Sequence, residues 1–521
     1  MSLKDNIYKI RCSKGMTQPE FAEKFNVSYQ SVQKWESGES KPDLNNLIKI
    51  SKLAGITIDS LLFDTGKRDE EETSGKTLLH SYKFVCPGDL YAQDINFEYE
   101  QSVDEGLDIE EYKELFEAVH KLPRNAYCDR LSDIISDIVF NAKTKSDFPY
   151  NEPSDYEAIK SMSEGCPKKP FDPTTIEEKI EGAWYGRICG CLLGKPVECM
   201  KLNELILLLK ITGNYPMTRY INYSDIPEGF IENCNHNLKN GFYTDLLDNA
   251  PCDDDTNYMV LYQKIIEEYG KDFTPDDIAK AWIDNQPMSA YCTAERVAFR
   301  NFANRLRPPS SASYKNPFRE WIGAQIRGDY FGYINPGDPE SAAEMAWRDA
   351  CISHTKNGIY GEMFVSAMIA AAAVCDNMYD IIKSGISQIP KKSRLYEAIQ
   401  NVIDGYEKGI SEDEFFENFY KRWDDCNSHH WTHTISNTEI VTACLLYGKN
   451  DYSKSVCMAV QAGFDTDCNA ATVGSILGMK NGIKSIDSKW IKPLNGKLST
   501  NINGMATVDI SECIKKTISH I

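Results

Sequence analysis

The sequence lacks any apolar run long enough to cross a membrane, and it lacks paired cysteines. Its longest apolar stretch, Met363–Cys375, has thirteen residues and predicts a buried helix. The seventeen cysteines form no CxxC pair, which favours free thiols in a reducing compartment over a disulfide framework. The N-terminal residues are charged and carry no apolar signal segment. We therefore expect a cytoplasmic protein with no membrane partner.

Several catalytic motifs are also missing. There is no GxSxG nucleophile elbow and no GxxxxGK[ST] phosphate loop, so neither covalent serine catalysis nor a P-loop is predicted. The net charge of -20 disfavours a protein coated by nucleic acid or docked on an anionic membrane. The charge is uneven, because residues 1–65 carry nine Lys and Arg against eight Asp and Glu. A near-neutral head on an acidic body is compatible with salt-dependent DNA binding.

The length of 521 residues predicts more than one domain, and the sequence pattern indicates four segments. Residues 1–65 are predicted to form a small helical head, and residues 66–76 contain no apolar residue and indicate a linker. Residues 77–172 are expected to form a helical spacer or extension with a structural role. Residues 173–521 form the main body, and all of the ordered segments are expected to be helical.

In the head, apolar residues at helical spacing predict a helix, a tight turn and a second helix over residues 17–38. Thr17 and Glu20 form a capping-box pattern, and Ser28 begins the second helix. The start of such a second helix is the end that enters the major groove of DNA. The candidate DNA contacts are Gln18, Ser28, Tyr29, Gln30, Ser31, Gln33 and Lys34.

The head resembles the Cro/repressor-type helix-turn-helix family. The resemblance also includes Trp35-Glu36-Ser37-Gly38, Lys41-Pro42 and two further amphipathic helices through Leu62. It implies a five-helix DNA-binding domain, and a homodimer is expected because a single module normally needs a partner for useful affinity. The alternative is a small helical bundle used for dimerisation or protein contact.

Two clusters of aspartates stand at predicted helix starts in the main body, at residues 253–257 (DDDTN) and 465–469 (DTDCN). Either cluster alone is explained by helix capping. Adjacent buried carboxylates, however, raise one another's pKa unless a cation neutralises them. An EF-hand is excluded, because the sixth and twelfth positions from Asp465 are Ala470 and Ile476. Oxygen ligands from both segments favour Mg²⁺ or Mn²⁺, with enough oxygens for two ions.

Upstream of both clusters, glycines recur at every fourth position from Gly182 to Gly194. Such a face predicts the close approach of another backbone or of a ligand. A membrane GxxxG motif is not predicted, since charged residues surround the glycines. Gly194 is expected to end the helix, which leaves Glu198 on the loop that follows.

In this chain order, the elements resemble the ADP-ribosylglycohydrolase family over about residues 173–519. The resemblance rests on the glycine segment with Glu198, on Asp254-Asp255-Thr256, on Ser353-His354 and on Asp465-Thr466-Asp467. It implies a large orthogonal all-α fold with a di-metal centre. It also implies cleavage of the bond between ADP-ribose and an acceptor, which is a protein, a nucleic acid or a small molecule.

The resemblance assigns roles to individual residues. Glu198 and Asp467 match catalytic positions, and Glu198 is the candidate general acid and base. The candidate metal ligands are Asp253, Asp254, Asp255, Asp465, Asp467 and Cys468. The candidate ADP-ribose contacts are Gly332, Asn335, Gly337 and His354. Asp253 and Cys468 depart from the family pattern, which has Thr at both places in many members, and Cys468 is a soft, poor ligand for Mg²⁺.

The residues leave alternatives open. Glu198 as a solvated loop carboxylate, His354 as a structural histidine and Asn335 as a turn former are each compatible with the sequence. His429, His430 and His433 suggest zinc, but no Cys or carboxylate constellation completes the site, and Trp431 suggests packing. The main function predicted is hydrolysis coupled to DNA binding. The second is an ADP-ribose-responsive transcriptional regulator with little or no turnover.

Overall fold

The computed structural model describes residues 3–55, 61 and 85–521. The chain divides into two compact units, residues 1–80 and residues 81–521. Within the described ranges the chain is almost entirely helical, which confirms the all-α class. Strands within these ranges are limited to a short antiparallel pair, Lys497–Ser499 with Thr507–Asp509. The fifth head helix expected near Leu62 and the linker expected over residues 66–76 fall outside the described residues.

The two units contain the following helices. The helices of the first unit are Leu3–Ser13, Gln18–Phe25, Tyr29–Ser37 and Leu44–Ala54. The α-helices of the second unit are Ile95–Asp104, Lys113–His120, Ala126–Asn141, Tyr156–Met162, Ile176–Gly194, Leu202–Ile211, Glu228–Asn233, Asp254–Tyr269, Pro275–Asn285, Thr293–Ala303, Ser310–Ser313, Asp329–Tyr333, Pro339–Ala350, Asn357–Ala372, Met378–Ile386, Arg394–Glu407, Glu412–Arg422, Ser428–Thr432, Thr434–Tyr447, Tyr452–Gln461, Thr466–Asn481, Ser488–Ile491 and Ile510–Ser519. Short 3-10 helices are Tyr91–Gln93, Glu110–Tyr112, Lys195–Val197, Tyr223–Asp225, Met288–Ala290, Gln325–Arg327, Ile483–Ser485 and Lys492–Leu494.

The caps of the head are those predicted from the sequence. Thr17 accepts a hydrogen bond from the backbone N–H of Glu20, and the Glu20 carboxylate accepts one from the N–H of Thr17 at 2.7 Å. Asn26 then ends the helix with a left-handed φ of 56°, a conformation that Asn tolerates better than most residues. Ser28 accepts from the N–H of Ser31 at 3.2 Å and starts the next helix. The helix, tight turn and helix are therefore confirmed.

The interior of the head combines an apolar core with one half-buried ion pair. Phe21, Val32 and Trp35 are buried in this core, at the helical spacing that predicted them. Arg11 Nε lies 2.6 Å from Glu36 Oε1 and so connects the first and third helices. The ion pair fixes the helix that carries most of the candidate DNA contacts.

The main body is built around two helices in unusually close contact. We call Ile176–Gly194 the glycine helix, Asp254–Tyr269 the first aspartate helix and Thr466–Asn481 the second aspartate helix. Gly182, Gly186 and Gly190 face the backbone of the second aspartate helix, and a Cβ atom on any of them would collide with one of its carbonyl oxygens. The glycine face therefore accommodates a backbone, which is one of the two outcomes that its pattern predicted.

The longest apolar stretch lies inside the body. The helix Asn357–Ala372 is buried along its whole length and contains most of Met363–Cys375. This confirms the buried helix expected there. Within the described part of the chain, no helix combines the length and the apolar composition that a membrane span requires.

Residues 85–150 form an accessory helical layer on the second unit. Ile95, Ile109 and Phe116 belong to a separate small hydrophobic core in this layer. Arg319 of the body joins the layer to it, with its guanidinium 2.7 Å from Glu98 Oε1 and 2.6 Å from Glu105 Oε1. The described part of the expected spacer therefore packs as part of the second unit, while the exact domain boundaries stay a prediction.

Candidate metal and active site

Three chain segments meet where the glycine helix ends. The 3-10 turn Lys195–Val197 continues directly from Gly194 and carries Glu198 at its end. The hydroxyl of Thr466 donates to the carbonyl of Gly194 at 3.0 Å, which fixes the start of the second aspartate helix against this turn. The glycine contacts thus set the position of the second aspartate cluster relative to Glu198.

Helix capping explains one aspartate cluster in part and the other not at all. Asp253 is the N-cap of the first aspartate helix and accepts from the N–H of Asp255 at 2.9 Å. Asp465 precedes the second aspartate helix but makes no capping bond with its side chain. The preceding residues Gly463 and Phe464 both have positive φ, at 70° and 58°. For Phe464 this is a strained conformation of the kind that folds maintain at functional sites.

The two aspartate clusters, far apart in the chain, lie next to each other in the fold. Potential ligand atoms of Asp255, Asp467 and Cys468 lie within 4.8 Å of one another. A second such group joins Cys191 and Asp253 to Asp255. The structure therefore brings together Asp253, Asp255 and Asp467 of the carboxylates that the sequence assigned to a metal centre, with Cys468 beside them.

The Lys195 side chain enters the same cluster. Its Nζ lies 2.6 Å from Glu198 Oε2, 2.6 Å from Asp253 Oδ2 and 3.2 Å from Asp467 Oδ2. The side chain is only 14% exposed. Sequence reasoning missed this residue, although its place directly after Gly194 and three residues before Glu198 gave a signal.

Several buried acidic oxygens have no hydrogen-bond donor. In this cluster they are Asp253 Oδ2, Asp255 Oδ2, Asp465 Oδ1 and Asp467 Oδ1. Of these, Asp253 Oδ2 has the Lys195 ammonium 2.6 Å away. A buried carboxylate oxygen without a donor is destabilising unless a cation compensates it. Carboxylate oxygens are hard ligands of the kind that Mg²⁺ and Mn²⁺ prefer. The donor set at this point fits a divalent cation.

The carboxylates also perturb one another's protonation. Burial, together with Asp253 and Asp467, raises the pKa of Asp254 to about 7. Burial, together with Asp467, raises the pKa of Glu198 to about 8, against the opposing effect of Lys195. Burial and the charges of Asp467 and Glu198 also raise the pKa of Asp465. For Asp253, burial acts upward but the Lys195 ammonium outweighs it, so its pKa is lowered.

Arg187 supports the cluster from behind. Its NH2 donates to Asp255 Oδ1 at 2.8 Å, and its NH1 lies 3.0 Å from Asp329 Oδ1. All three side chains are buried. Arg187 holds one oxygen of Asp255, and the other, Oδ2, is buried without a donor. Sequence reasoning also missed Arg187 and Asp329, because neither lies in a local acidic motif.

The residues expected to hold ADP-ribose make contacts within the packed fold. Gly332 is in the helix Asp329–Tyr333, where a Cβ atom would lie 2.6 Å from Ile369. Asn335 donates to the carbonyl of Phe331 at 2.9 Å, and Gly337 donates to the carbonyl of Ala370 at 2.8 Å. These are packing contacts within the fold.

Tyr333, in the same helix as Gly332, donates to the carbonyl of Ala183, in the first half of the glycine helix, at 3.1 Å. Close packing explains Gly332 and Gly337, because an added Cβ atom would collide with Ile369 or with the backbone of Lys169. The ADP-ribose contacts of Gly332, Asn335 and Gly337 stay a prediction.

His354 is fully buried within an ion network. Its Nδ1 is hydrogen-bonded to Ser353 Oγ at 2.9 Å, and its Nε2 lies 3.9 Å from Glu295 Oε1. Arg327 lies in the same network, 2.6 Å from Glu295. Burial, followed by the charge of Arg327, lowers the pKa of His354 well below its usual value. These contacts favour the structural alternative for this histidine.

The histidine-rich segment does gain a carboxylate in the fold. Asp104 Oδ2 lies 3.0 Å from His429 Nε2, and both are grouped with His433. The indole N–H of Trp321 donates to His429 Nδ1, and the backbone N–H of Ile435 donates to His433 Nδ1. Both rings therefore carry their proton on Nε2 and offer no lone pair there. This geometry disfavours zinc and indicates hydrogen bonds that secure the accessory layer.

In the first unit, most of the candidate DNA contacts are solvent-exposed. Ser28, Tyr29, Gln30, Gln33 and Lys34 are exposed. Ser31 is half-buried and shares a hydrogen bond with Ser28, and Gln18 donates to Glu36 Oε2 at 2.7 Å. The helix Tyr29–Ser37 thus presents a polar face near its N-terminus.

The fold and the site together define an all-helical glycohydrolase-type body preceded by a helix-turn-helix DNA-binding domain. The chain belongs to the ADP-ribosylglycohydrolase family, whose model matches residues 172–516. A helix-turn-helix family model matches residues 7–61. The family resemblances inferred from the sequence are confirmed.

Curated relatives match the head. The HTH-type transcriptional activator BcrR of Enterococcus faecalis is 39% identical over 62 residues, which is 12% of this chain and 30% of that protein. The SPbeta prophage-derived HTH-type regulator YonR of Bacillus subtilis is 33% identical over 81 residues, 15% of this chain and 75% of that protein. The phage CTXphi repressor RstR of Vibrio cholerae is 36% identical over 61 residues, 12% of this chain and 54% of that protein. All three similarities concern the head.

Solved structures also resemble this chain, and we describe one of them. It is described as an ADP-ribosylglycohydrolase-related protein complex and is 15% identical, covering 67% of this chain and 98% of its own. The TM-score is 0.41, so this likeness adds nothing to the family assignment.

Proposed function

We propose that the chain hydrolyses the glycosidic bond between ADP-ribose, or a related ribosyl group, and an acceptor, in a reaction that depends on a divalent metal. The observation that carries this proposal is the convergence of acidic groups from three segments around buried oxygens that lack donors. Asp255, Asp465 and Asp467, which have buried oxygens without donors, are the residues that would hold the metal. Asp254, beside them in the sequence, stays a predicted ligand. Bound there, Mg²⁺ or Mn²⁺ would supply Lewis-acid chemistry and orient the ribose hydroxyls.

Glu198 is the proposed acid and base. Its raised pKa, about 8, means that it holds a proton near neutral pH and can donate it to the departing acceptor atom. Its side chain is 33% exposed, unlike the buried aspartates, so a substrate can reach it. After the bond breaks, the resulting carboxylate can take a proton from an attacking water. Asp467 contacts the Lys195 ammonium beside Glu198 and so fixes the geometry of this corner.

The head is proposed to direct this activity to DNA, or to make DNA binding respond to it. The exposed face near the start of Tyr29–Ser37 supports contact with base edges and phosphates. We also propose a homodimer, since helix-turn-helix modules normally read paired half-sites as dimers.

The enzyme assay uses the full-length chain with Mg²⁺ or Mn²⁺ and acceptors ADP-ribosylated on nitrogen, on oxygen or on a nucleobase. We expect chromatography to show free ADP-ribose from at least one acceptor, and chelation of the metal to stop its release. Glu198→Gln is expected to lower the rate by about 10²–10⁴-fold. The exposed Glu232→Gln is the matched control and is expected to leave the rate unchanged. No release from any acceptor would refute the hydrolase.

A second candidate function is an ADP-ribose-responsive regulator with little or no turnover. The contacts of Lys195 with three carboxylates favour it, because they occupy oxygens that a fully metal-loaded enzyme would use. Here ADP-ribose would change the affinity of the chain for its selected DNA while no acceptor is cleaved. Gel-shift titrations with and without ADP-ribose separate this outcome from hydrolysis.

A further inference from the structure

The ammonium group of Lys195 lies at the common centre of three carboxylates. Glu198, Asp253 and Asp467 each place one oxygen within 2.6–3.2 Å of Nζ. The three acceptors come from three distant parts of the chain, and an ammonium group has three N–H donors. Two of these contacts are hydrogen bonds, to Glu198 and Asp467, and the third is a close ion pair with Asp253. The ammonium is thus a buried cation surrounded by three negative charges.

A divalent ion cannot share this position. Mg²⁺ and Ca²⁺ sit about 2.0–2.6 Å from their oxygen ligands, so an ion bound by the same three oxygens would overlap Nζ. Lys195 also pairs with Asp253, the carboxylate that the sequence had assigned as an extra metal ligand. The extra negative charge at Asp253 thus has a positive partner within the chain.

On the other side of the cluster, Arg187 pairs with Asp255 through Oδ1 alone and leaves other oxygens without a donor. Asp467 gives Oδ2 to Lys195, while its Oδ1 is buried and has no donor. Asp255 Oδ2 and Asp465 Oδ1 are also buried without donors. The Asp255 and Asp467 ligand atoms lie within 4.8 Å of each other. One cation position therefore remains, next to Lys195 and bridged to it by the carboxylate of Asp467.

We propose that Lys195 is a tethered cation that takes the place of one divalent ion, so that this site binds a single metal ion through Asp255, Asp465 and Asp467. The inference rests on the metal dependence in the proposed function and specifies its stoichiometry. In this arrangement Asp253 is the counter-ion of Lys195. Lys195 also holds Oε2 of Glu198 and so positions that carboxyl group.

The test counts the ions bound by the full-length chain. Mn²⁺ is titrated by calorimetry, and electron paramagnetic resonance distinguishes a single ion from a spin-coupled pair. We expect one Mn²⁺ per wild-type chain and no coupled signal. Asp465→Asn is expected to lose the ion, whereas Asp253→Asn is expected to keep it.

The decisive variant removes the tethered charge together with its counter-charge. Lys195→Ala combined with Asp253→Asn leaves the net charge unchanged, and Asn still caps the helix through its side-chain oxygen. We expect this pair to bind two Mn²⁺ ions with a coupled signal. Lys408→Ala removes an exposed lysine from another helix end and is expected to keep one ion.

Each outcome decides the inference separately from the enzymatic proposal. Two ions in the wild-type chain, or none, would overturn it even if ADP-ribose is released. One ion in the folded double variant would also overturn it. If the double variant does not fold, the wild-type count and the contrast between Asp465→Asn and Asp253→Asn still decide. If no ADP-ribose is released, by contrast, the proposed hydrolase activity is refuted, but the inference about the number of ions is not affected.

Discussion

Gly186 and Gly474 face each other so closely that a Cβ atom on either residue would overlap the carbonyl oxygen of the other. The contact is reciprocal and joins the glycine helix to the second aspartate helix. Further along the same face, Gly194 meets the backbone of Thr466 and Asp467. The spacing of glycines therefore determines how close the second aspartate cluster comes to Glu198.

We predict that Gly186→Ala destabilises the body by about 1–3 kcal/mol or more, because the added methyl group forces two packed backbones apart. Mn²⁺ affinity should fall as well, since Asp467 moves with its helix. Urea unfolding and calorimetry measure the two effects. Gly229→Ala is the control, because Gly229 is exposed in a helix and its Cβ would meet open space. That change should be neutral or stabilising by up to about 1 kcal/mol. Equal unfolding midpoints for Gly186→Ala and wild type would contradict the packing role.

The fold was predictable from the sequence wherever its periodicity was strong. Helical spacing in the head and the glycine repeat in the body each indicated a surface that must pack. The two aspartate clusters together indicated that they meet in the fold. From the sequence, helix capping is enough to explain either cluster alone, but two sets of adjacent buried carboxylates need a neutralising cation. Capping accounts for Asp253 but not for Asp465.

Other features depended on contacts that no local pattern shows. Lys195 and Asp467 are separated by 272 positions, so the ion pair between them has no short-range sequence signal. Asp104 and His429 are likewise brought together by tertiary packing. The loop containing Gly337 shows a different difficulty. A glycine allows either a ligand or another backbone to come close, and the local sequence is the same in both cases. Only the packing shows that the backbone of Lys169 fills this space.

We predict different DNA-binding defects for two residues of the helix Tyr29–Ser37. Lys34→Ala should weaken binding to all sequences and reduce the salt slope by about one, as expected for a phosphate contact. Gln30→Ala should instead relax the preference at one base position by about 1–3 kcal/mol.

Binding is measured by fluorescence anisotropy on DNA selected from a random library, over a range of salt concentrations. Lys49→Ala, an exposed lysine on another helix, is the control. Identical salt slopes for Lys34→Ala and wild type would exclude the phosphate contact.

We predict that Arg319→Met loosens the accessory layer without affecting metal binding. The change leaves Glu98 buried without its counter-charge, while Glu105 keeps only its ion pair with Lys356. Breaking a buried ion pair in this way typically costs about 3–5 kcal/mol. Hydrogen exchange should become faster in Ile95–Asp104, while the Mn²⁺ count stays the same.

The matched control for Arg319→Met is Arg307→Met. Arg307 pairs with Asp276 at the surface, where an ion pair contributes at most about 1 kcal/mol. Exchange in the accessory layer should therefore stay at the wild-type rate. Equal protection of the layer in both variants would show that Arg319 does not hold it.

We predict that part of the stability of the second unit is lost between about pH 4 and pH 7 because of Asp94. Burial raises the pKa of Asp94 from 3.8 to about 7. The hydrogen bond from Gly88 and the charges of Arg300 and Arg124 lower this pKa, while Asp89 raises it further. The folded state therefore binds this proton more tightly than the unfolded state does. Stability from this group is complete below the unfolded pKa and declines as the pH rises towards the folded pKa.

Asp94→Asn tests this pH dependence. The Asn side-chain oxygen can still accept from the Gly88 N–H, which Asp94 now accepts at 2.9 Å, and the group no longer ionises. The unfolding midpoint of the variant minus that of wild type should therefore increase from pH 5 to pH 7.5. Asp137→Asn removes an exposed charge from the same layer and controls for the change in net charge. A difference between Asp94→Asn and wild type that is constant with pH would mean that Asp94 does not titrate in this range.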